Sequence, residues 1–122
     1  MTDQARNGTV VGVIGLGNAG YAVASAFAKL SPVHGYDLNG DKRTSASQGG
    51  IITHDQFGAF TAAIDIAIMS LPHPDISLAV TGQLLDLESR PKLIIDTSTV
   101  TPQTAIDCAS LASPYGVGFV DA

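Results

Sequence analysis

The run Val10-Val11-Gly12-Val13-Ile14, followed at once by Gly15-Leu16-Gly17-Asn18-Ala19-Gly20, restricts the fold of this chain more than any other segment. Five apolar, mostly β-branched residues bounded by glycine read as a buried strand. Asn18–Leu30, rich in alanine and poor in polar residues, reads as a helix packed closely on a sheet, and Ser31-Pro32 stops it. The glycines between them form a G-x-G-x-x-G pattern. Gly15 permits the tight turn, Gly17 leaves the backbone open to a pyrophosphate, and Gly20 lets helix and strand approach. The helix N-terminus then offers free N–H groups and partial positive charge to an anion. A glycine-rich turn with no ligand is the competing reading. It loses ground because strand, loop and helix occur in the required order.

The same alternation continues down the chain. Val33–Asp37, Ile51–Thr53, Asp65–Leu71, Lys92–Asp96 and Val117–Val120 read as further strands. Asp41–Gln48, Asp55–Ala63, Asp75–Leu87 and Pro102–Leu111 read as helices. Strands that alternate with helices imply βαβ crossovers and a mostly parallel sheet. Their apolar character without clean alternation implies cover on both sheet faces. The expected fold class is therefore α/β: a Rossmann-type, doubly wound sheet over residues 10–122, preceded by a flexible polar arm over residues 1–9. Ligands of such folds lie beyond the carboxyl ends of the strands, which places the chemistry just after Ile14, Tyr36, Leu71 and Ile95.

Asp37 ends the second strand about 20 residues past the glycine loop, where a carboxylate accepts hydrogen bonds from an adenosine ribose and repels a 2′-phosphate. NAD is thus the expected cofactor. NADP stays open, because Lys42 and Arg43 follow closely and could turn toward a 2′-phosphate, and Asp37 could instead serve a plain turn or helix start. The formal charge is −5, with no basic stripe, so nucleic-acid binding lacks its electrostatic driving force. Any anion site must rest mainly on backbone dipoles. Cys108 is the only cysteine, which excludes an intrachain disulfide and a cysteine zinc cluster. With no secretory h-region and no membrane-length apolar run, a cytoplasmic location is expected and no membrane partner.

The run VGVIGLGNAGYAVASAFAKL resembles the opening of the β-hydroxyacid dehydrogenases, the family of 3-hydroxyisobutyrate dehydrogenase, tartronate semialdehyde reductase and 6-phosphogluconate dehydrogenase. Ile68-Met69-Ser70-Leu71-Pro72, Asp96-Thr97-Ser98-Thr99-Val100-Thr101-Pro102 and Gly118-Phe119-Val120-Asp121-Ala122 resemble three later family segments in order and approximate spacing. The resemblance implies hydride transfer between a small 3-hydroxy acid and a nicotinamide. It places Gly15, Leu16, Gly17, Asn18, Ala19, Gly20, Asp37, Leu71, Pro72 and Thr99 on the cofactor and Ser98 at the substrate. Each of the later residues has a plainer alternative: Thr99 could cap a helix, Ser98 could shape a turn, and Pro72-His73-Pro74 could form a rigid turn. Thr101, just before Pro102, reads as a helix cap.

The family's acid/base lysine lies on a helix of a second, all-helical domain, and Lys29, Lys42 and Lys92 do not match its position. No catalytic residue is therefore expected in this chain. His34, His54 and His73 show no metal-ligand spacing, and no metal is expected. His34 reads as a structural strand histidine and Cys108 as a small buried hydrophobe. Without the helical domain, an exposed apolar patch is expected to drive self-association. Two other readings remain: a non-catalytic dinucleotide-binding or sensing module, and a methyltransferase using S-adenosylmethionine. The full glycine spacing and the Asp96–Thr99 segment speak against the second.

Overall fold

A computed structural model describes residues 8–122, so most of the expected polar arm lies outside the described residues. Six strands, β1 (Val11–Ile14), β2 (Val33–Tyr36), β3 (Ile52–Thr53), β4 (Ile66–Met69), β5 (Leu93–Asp96) and β6 (Gly118–Asp121), alternate with five α-helices. The helices are α1 (Asn18–Ala28), α2 (Gly40–Gln48), α3 (Phe57–Ala62), α4 (Pro74–Asp86) and α5 (Pro102–Ala112). The sheet order is β3-β2-β1-β4-β5-β6. Every pairing is parallel, so the sheet expected to be mostly parallel is wholly so. The chain winds outward from β1 to β3, then returns to lay β4 on the other side of β1. That reversal puts the topological switch point between β1 and β4, where a doubly wound sheet opens a crevice.

Both faces of the strands are apolar because both are covered. Val13 and Ile68 point to one face, where they join Ala24 of α1 and Ala46 of α2. Ile14, Ala67 and Met69 point to the other, against Phe60 of α3, Leu84 and Leu85 of α4, and Ala112 of α5. This accounts for strands that read as continuous apolar runs. Gly12 belongs to the second face. A Cβ there would stand 2.6 Å from Ile64 Cγ2 and 2.8 Å from the Phe60 ring, so Phe60 fills the room left by the missing side chain.

Element ends differ from the sequence reading by at most two residues, as helix ends generally do. At β3 the difference has a specific cause. Ile51 is buried, but its N–H donates to Ala46 O and so closes α2 instead of joining the sheet. A 3₁₀ turn over Ser113–Tyr115, absent from the sequence reading, carries α5 into β6, and Gly116 at φ +72° reverses the chain after it.

Candidate functional site

The turn from β1 into α1 is held by contacts that require glycine at two positions. Gly15 has φ +95°, and a Cβ there would run into the carbonyl oxygen of Ser70. A Cβ on Gly20 would run into the carbonyl oxygen of Gly15. The loop is fastened to the neighbouring strands as well: Gly15 N–H donates to Tyr36 O at 2.9 Å, and Ser70 N–H donates to Ile14 O at 2.9 Å. Gly17 differs from its partners. It is the N-cap of α1 with ordinary extended backbone, and a Cβ there would meet only Lys42 Nζ, at 3.8 Å. No side chain caps this helix end and its first turn carries no acidic residue. The first-turn N–H groups therefore face an open space, which is what a bound anion needs.

Asp37 stands beside this loop, just past β2. Its Oδ2 accepts from Leu16 N–H at 2.8 Å and its Oδ1 from Asn39 N–H at 2.8 Å. Both contacts leave lone pairs on each oxygen for further donors. The helix start that Asp37 could have capped is capped by Asn39, whose Oδ1 accepts from Asp41 and Lys42 N–H. Arg43 is already committed: Nη1 donates to Asp37 O at 2.7 Å and to Leu38 O at 3.2 Å. Of the two cations that follow Asp37, only Lys42 lines the open cleft.

That cleft has a volume of about 870 Å³ and runs across the switch point. Gly15, Gly17, Asn18, Ala19 and Gly20 form its floor, Asp37 one side, and Leu71 and Pro72 the opposite side. Leu16 contributes its backbone N–H to Asp37 while its side chain is buried in the core under α1. The far wall was missed by sequence reasoning: Leu38, Phe57, Ile76, Val80 and Leu87 supply apolar surface, with Gln83 among them. One signal was present, since the apolar Leu38 follows directly on the acid; in the structure it is 88% exposed. The others come from α3 and α4 and meet only in three dimensions.

The segment after β5 does not line this cleft. Ser98 is 9% exposed, and its Oγ accepts from Leu71 N–H at 2.7 Å. Its own N–H donates to Asp96 Oδ1 at 2.9 Å. Asp96 is fully buried, and its Oδ2 has no hydrogen-bond partner among the described residues. Thr99 is exposed midway along this loop. Thr101 is the N-cap of α5, accepting from Thr104 N–H, so the capping role falls to Thr101 and not to Thr99.

The remaining reactive side chains are not among those lining the cleft. His34 Nδ1 and His54 Nε2 are 2.8 Å apart and join β2 to the end of β3. His73 precedes α4 without capping it. Burial pushes the Cys108 thiol up, and the Asp96 and Asp107 charges add to this against an opposing hydrogen bond from Thr81. No group of three or more His, Cys, Asp or Glu among the described residues could hold a metal ion. No described helix is long and apolar enough to cross a membrane.

Residues 10–122 match the family profile described as the NAD binding domain of 6-phosphogluconate dehydrogenase. The chain belongs to this family, within the β-hydroxyacid dehydrogenases. Among solved structures it is similar to 3-hydroxyisobutyrate dehydrogenase of Mycobacterium tuberculosis with L-serine, at 26% identity and TM-score 0.83 over 93% of this chain. It also shares its fold with an imine reductase of Myxococcus stipitatus in complex with NADP+, at 22% identity and TM-score 0.79 over 92% of this chain. A variant of the Myxococcus stipitatus enzyme in complex with NAD+ aligns at 19% identity and TM-score 0.79 over 93% of this chain. The chain spans about 40% of the length of these structures. No curated protein matches it by sequence.

Proposed function

We propose that this NAD-binding domain is the cofactor half of an oxidoreductase that moves a hydride between a small 3-hydroxy acid and a nicotinamide. The open position at Gly17 carries this reading. It lies between two glycines whose surroundings exclude any side chain, and it alone leaves room for a ligand at a helix N-terminus. The pyrophosphate would be held there, by the N–H groups of Gly17, Asn18, Ala19 and Gly20. Asp37 would accept from the adenosine ribose, and Leu38 and the apolar far wall would enclose the adenine. Leu71 and Pro72, across the glycine loop from Asp37, would bound the nicotinamide end, with the exposed Thr99 near its rim and Ser98, whose Oγ holds Leu71 N–H, bearing on the substrate side through that wall.

When bound, the nicotinamide supplies or receives the hydride. The chain's own residues orient the dinucleotide and exclude water from one side of it. The acid/base step falls to a group outside this chain. Lys29 follows α1 and Lys92 precedes β5, so both lie at the edge of the sheet opposite the cleft. Lys42 Nζ stands 3.8 Å from where a Cβ on Gly17 would lie, and in this reading would face the phosphates. The same distribution of lysines favours, as the second reading, a domain that binds dinucleotide without catalysis.

Asp37 selects NAD over NADP in this reading, and Lys42, of the two cations that follow it, is the one that lines the cleft and would have to turn from the pyrophosphate to meet a 2′-phosphate. Titration with NADH, NADPH and S-adenosylmethionine checks it. Saturable binding of NADH, weaker binding of NADPH and none of S-adenosylmethionine are expected. Preference for S-adenosylmethionine would overturn the dehydrogenase reading. An assay for 3-hydroxy acid turnover with NAD separates the enzyme from the non-catalytic module.

A further inference from the structure

The backbone after β4 and the backbone after β5 are tied together by side chains. The parallel ladder between these strands ends at Met69 and Asp96. Beyond it, Thr97 N–H and Thr97 Oγ1 both donate to Met69 O, at 2.9 and 2.8 Å. Ser98 Oγ then accepts from Leu71 N–H at 2.7 Å. Ser98 is itself held, because its N–H donates to a carboxylate oxygen of the fully buried Asp96. The next residue, Pro72, has no N–H to anchor. Leu71 N–H is thus the last main-chain donor before the Leu71–Pro72 turn enters the cleft wall, and it is taken by Ser98.

We propose that Ser98 is a positioning residue for the dinucleotide. It sets the Leu71–Pro72 backbone and so the wall that meets the nicotinamide half. The inference rests on the cofactor reading above. Asp37 and the Leu71–Pro72 wall stand on opposite sides of the glycine loop, so a dinucleotide whose adenosine lies at Asp37 has its nicotinamide at this wall. Ser98 offers little surface of its own to a ligand, being 9% exposed. Its effect on the nicotinamide therefore runs through Leu71. A serine that only touched the hydroxy acid would leave dinucleotide binding unchanged.

The test uses the full chain with NADH and ADP-ribose, which lacks the nicotinamide. Loss of one partly buried hydrogen bond in Ser98→Ala is expected to weaken NADH binding about three- to tenfold, with ADP-ribose changed by less than about twofold. Equal losses for both ligands, or no loss for either, would overturn the proposal. Amide hydrogen exchange gives a reading that needs no ligand. In the wild type the Leu71 amide is expected to be protected, and Ser98→Ala is expected to remove that protection while Ile68 keeps its own. A Leu71 amide that exchanges freely in the wild type would refute the tie, whatever the variant does. If the wild type binds neither NADH nor ADP-ribose, the cofactor reading itself falls, and the exchange result still tells whether Ser98 holds Leu71.

Discussion

A Cβ on Gly15 would meet the Ser70 carbonyl, one on Gly20 the Gly15 carbonyl, and one on Gly17 only the Lys42 ammonium. The three therefore respond differently to mutation. Gly20→Ala is expected to lower the melting temperature sharply, because helix and strand must separate, whereas Gly17→Ala should leave it nearly unchanged. Asp37 joins binding to structure, since it accepts from Leu16 N–H as well as facing the cleft. Asp37→Ser is expected to weaken NADH by about tenfold or more, the scale of a hydrogen bond to a charged group, and to narrow the gap to NADPH. An unchanged NADH-to-NADPH ratio would remove Asp37 as the selector. For Cys108 the raised pKa means that the fold favours the neutral thiol. Its contribution to stability is full below the ordinary thiol range and is lost as pH rises through it, from about pH 8 upward. Denaturant melts of the wild type and Cys108→Ala should keep a constant gap up to that point and converge above it. The glycine roles were legible because spacing alone encodes a tight turn at a helix start. The commitments of Ser98 and Arg43 were not, because their partners Leu71 and Asp37 are set by strand adjacency and loop path.

At the level of elements, the strand and α-helix types were legible from apolar runs and glycine or proline stops; their ends moved, and the 3₁₀ turn over Ser113–Tyr115 was not legible. Ile51 shows why ends are hard to read: the residue is apolar and β-branched, yet its N–H completes the turn after α2. The cap of α5 was readable in advance from Thr101 before Pro102, and the structure gives it a bond to Thr104 N–H at 3.1 Å. Thr101→Ala is expected to cost about 1 kcal/mol in a denaturant melt, with NADH affinity unchanged. Phe60→Ala should cost about 3–5 kcal/mol, since Phe60 is fully buried against Gly12. The apolar wall of the cleft escaped the sequence reading because α3 and α4 contribute to it from separate crossovers. Helical periodicity tells which residues share a face but not which helix they face.

Across the whole molecule, burial is uneven. Ile106, Leu111, Tyr115 and Val120 are 58, 43, 49 and 47% exposed and belong to α5, the turn after it and β6. β6 is also an edge of the sheet, with main-chain groups unpaired on its outer side among the described residues. Sedimentation of this chain is expected to show concentration-dependent association that Leu111→Ser weakens; a strict monomer at high concentration would contradict this. The cleft lies at the switch point, formed by the carboxyl ends of β1, β2 and β4, and the proposed function requires a dinucleotide pyrophosphate over Gly17. The most direct measurement is a calorimetric titration of NADH into the wild type and Gly17→Leu, with melting temperatures recorded alongside. Saturable binding by the wild type, lost in a variant that melts at nearly the same temperature, is the expected result. Equal affinity in the two proteins, or no binding by the wild type at millimolar NADH, would contradict it.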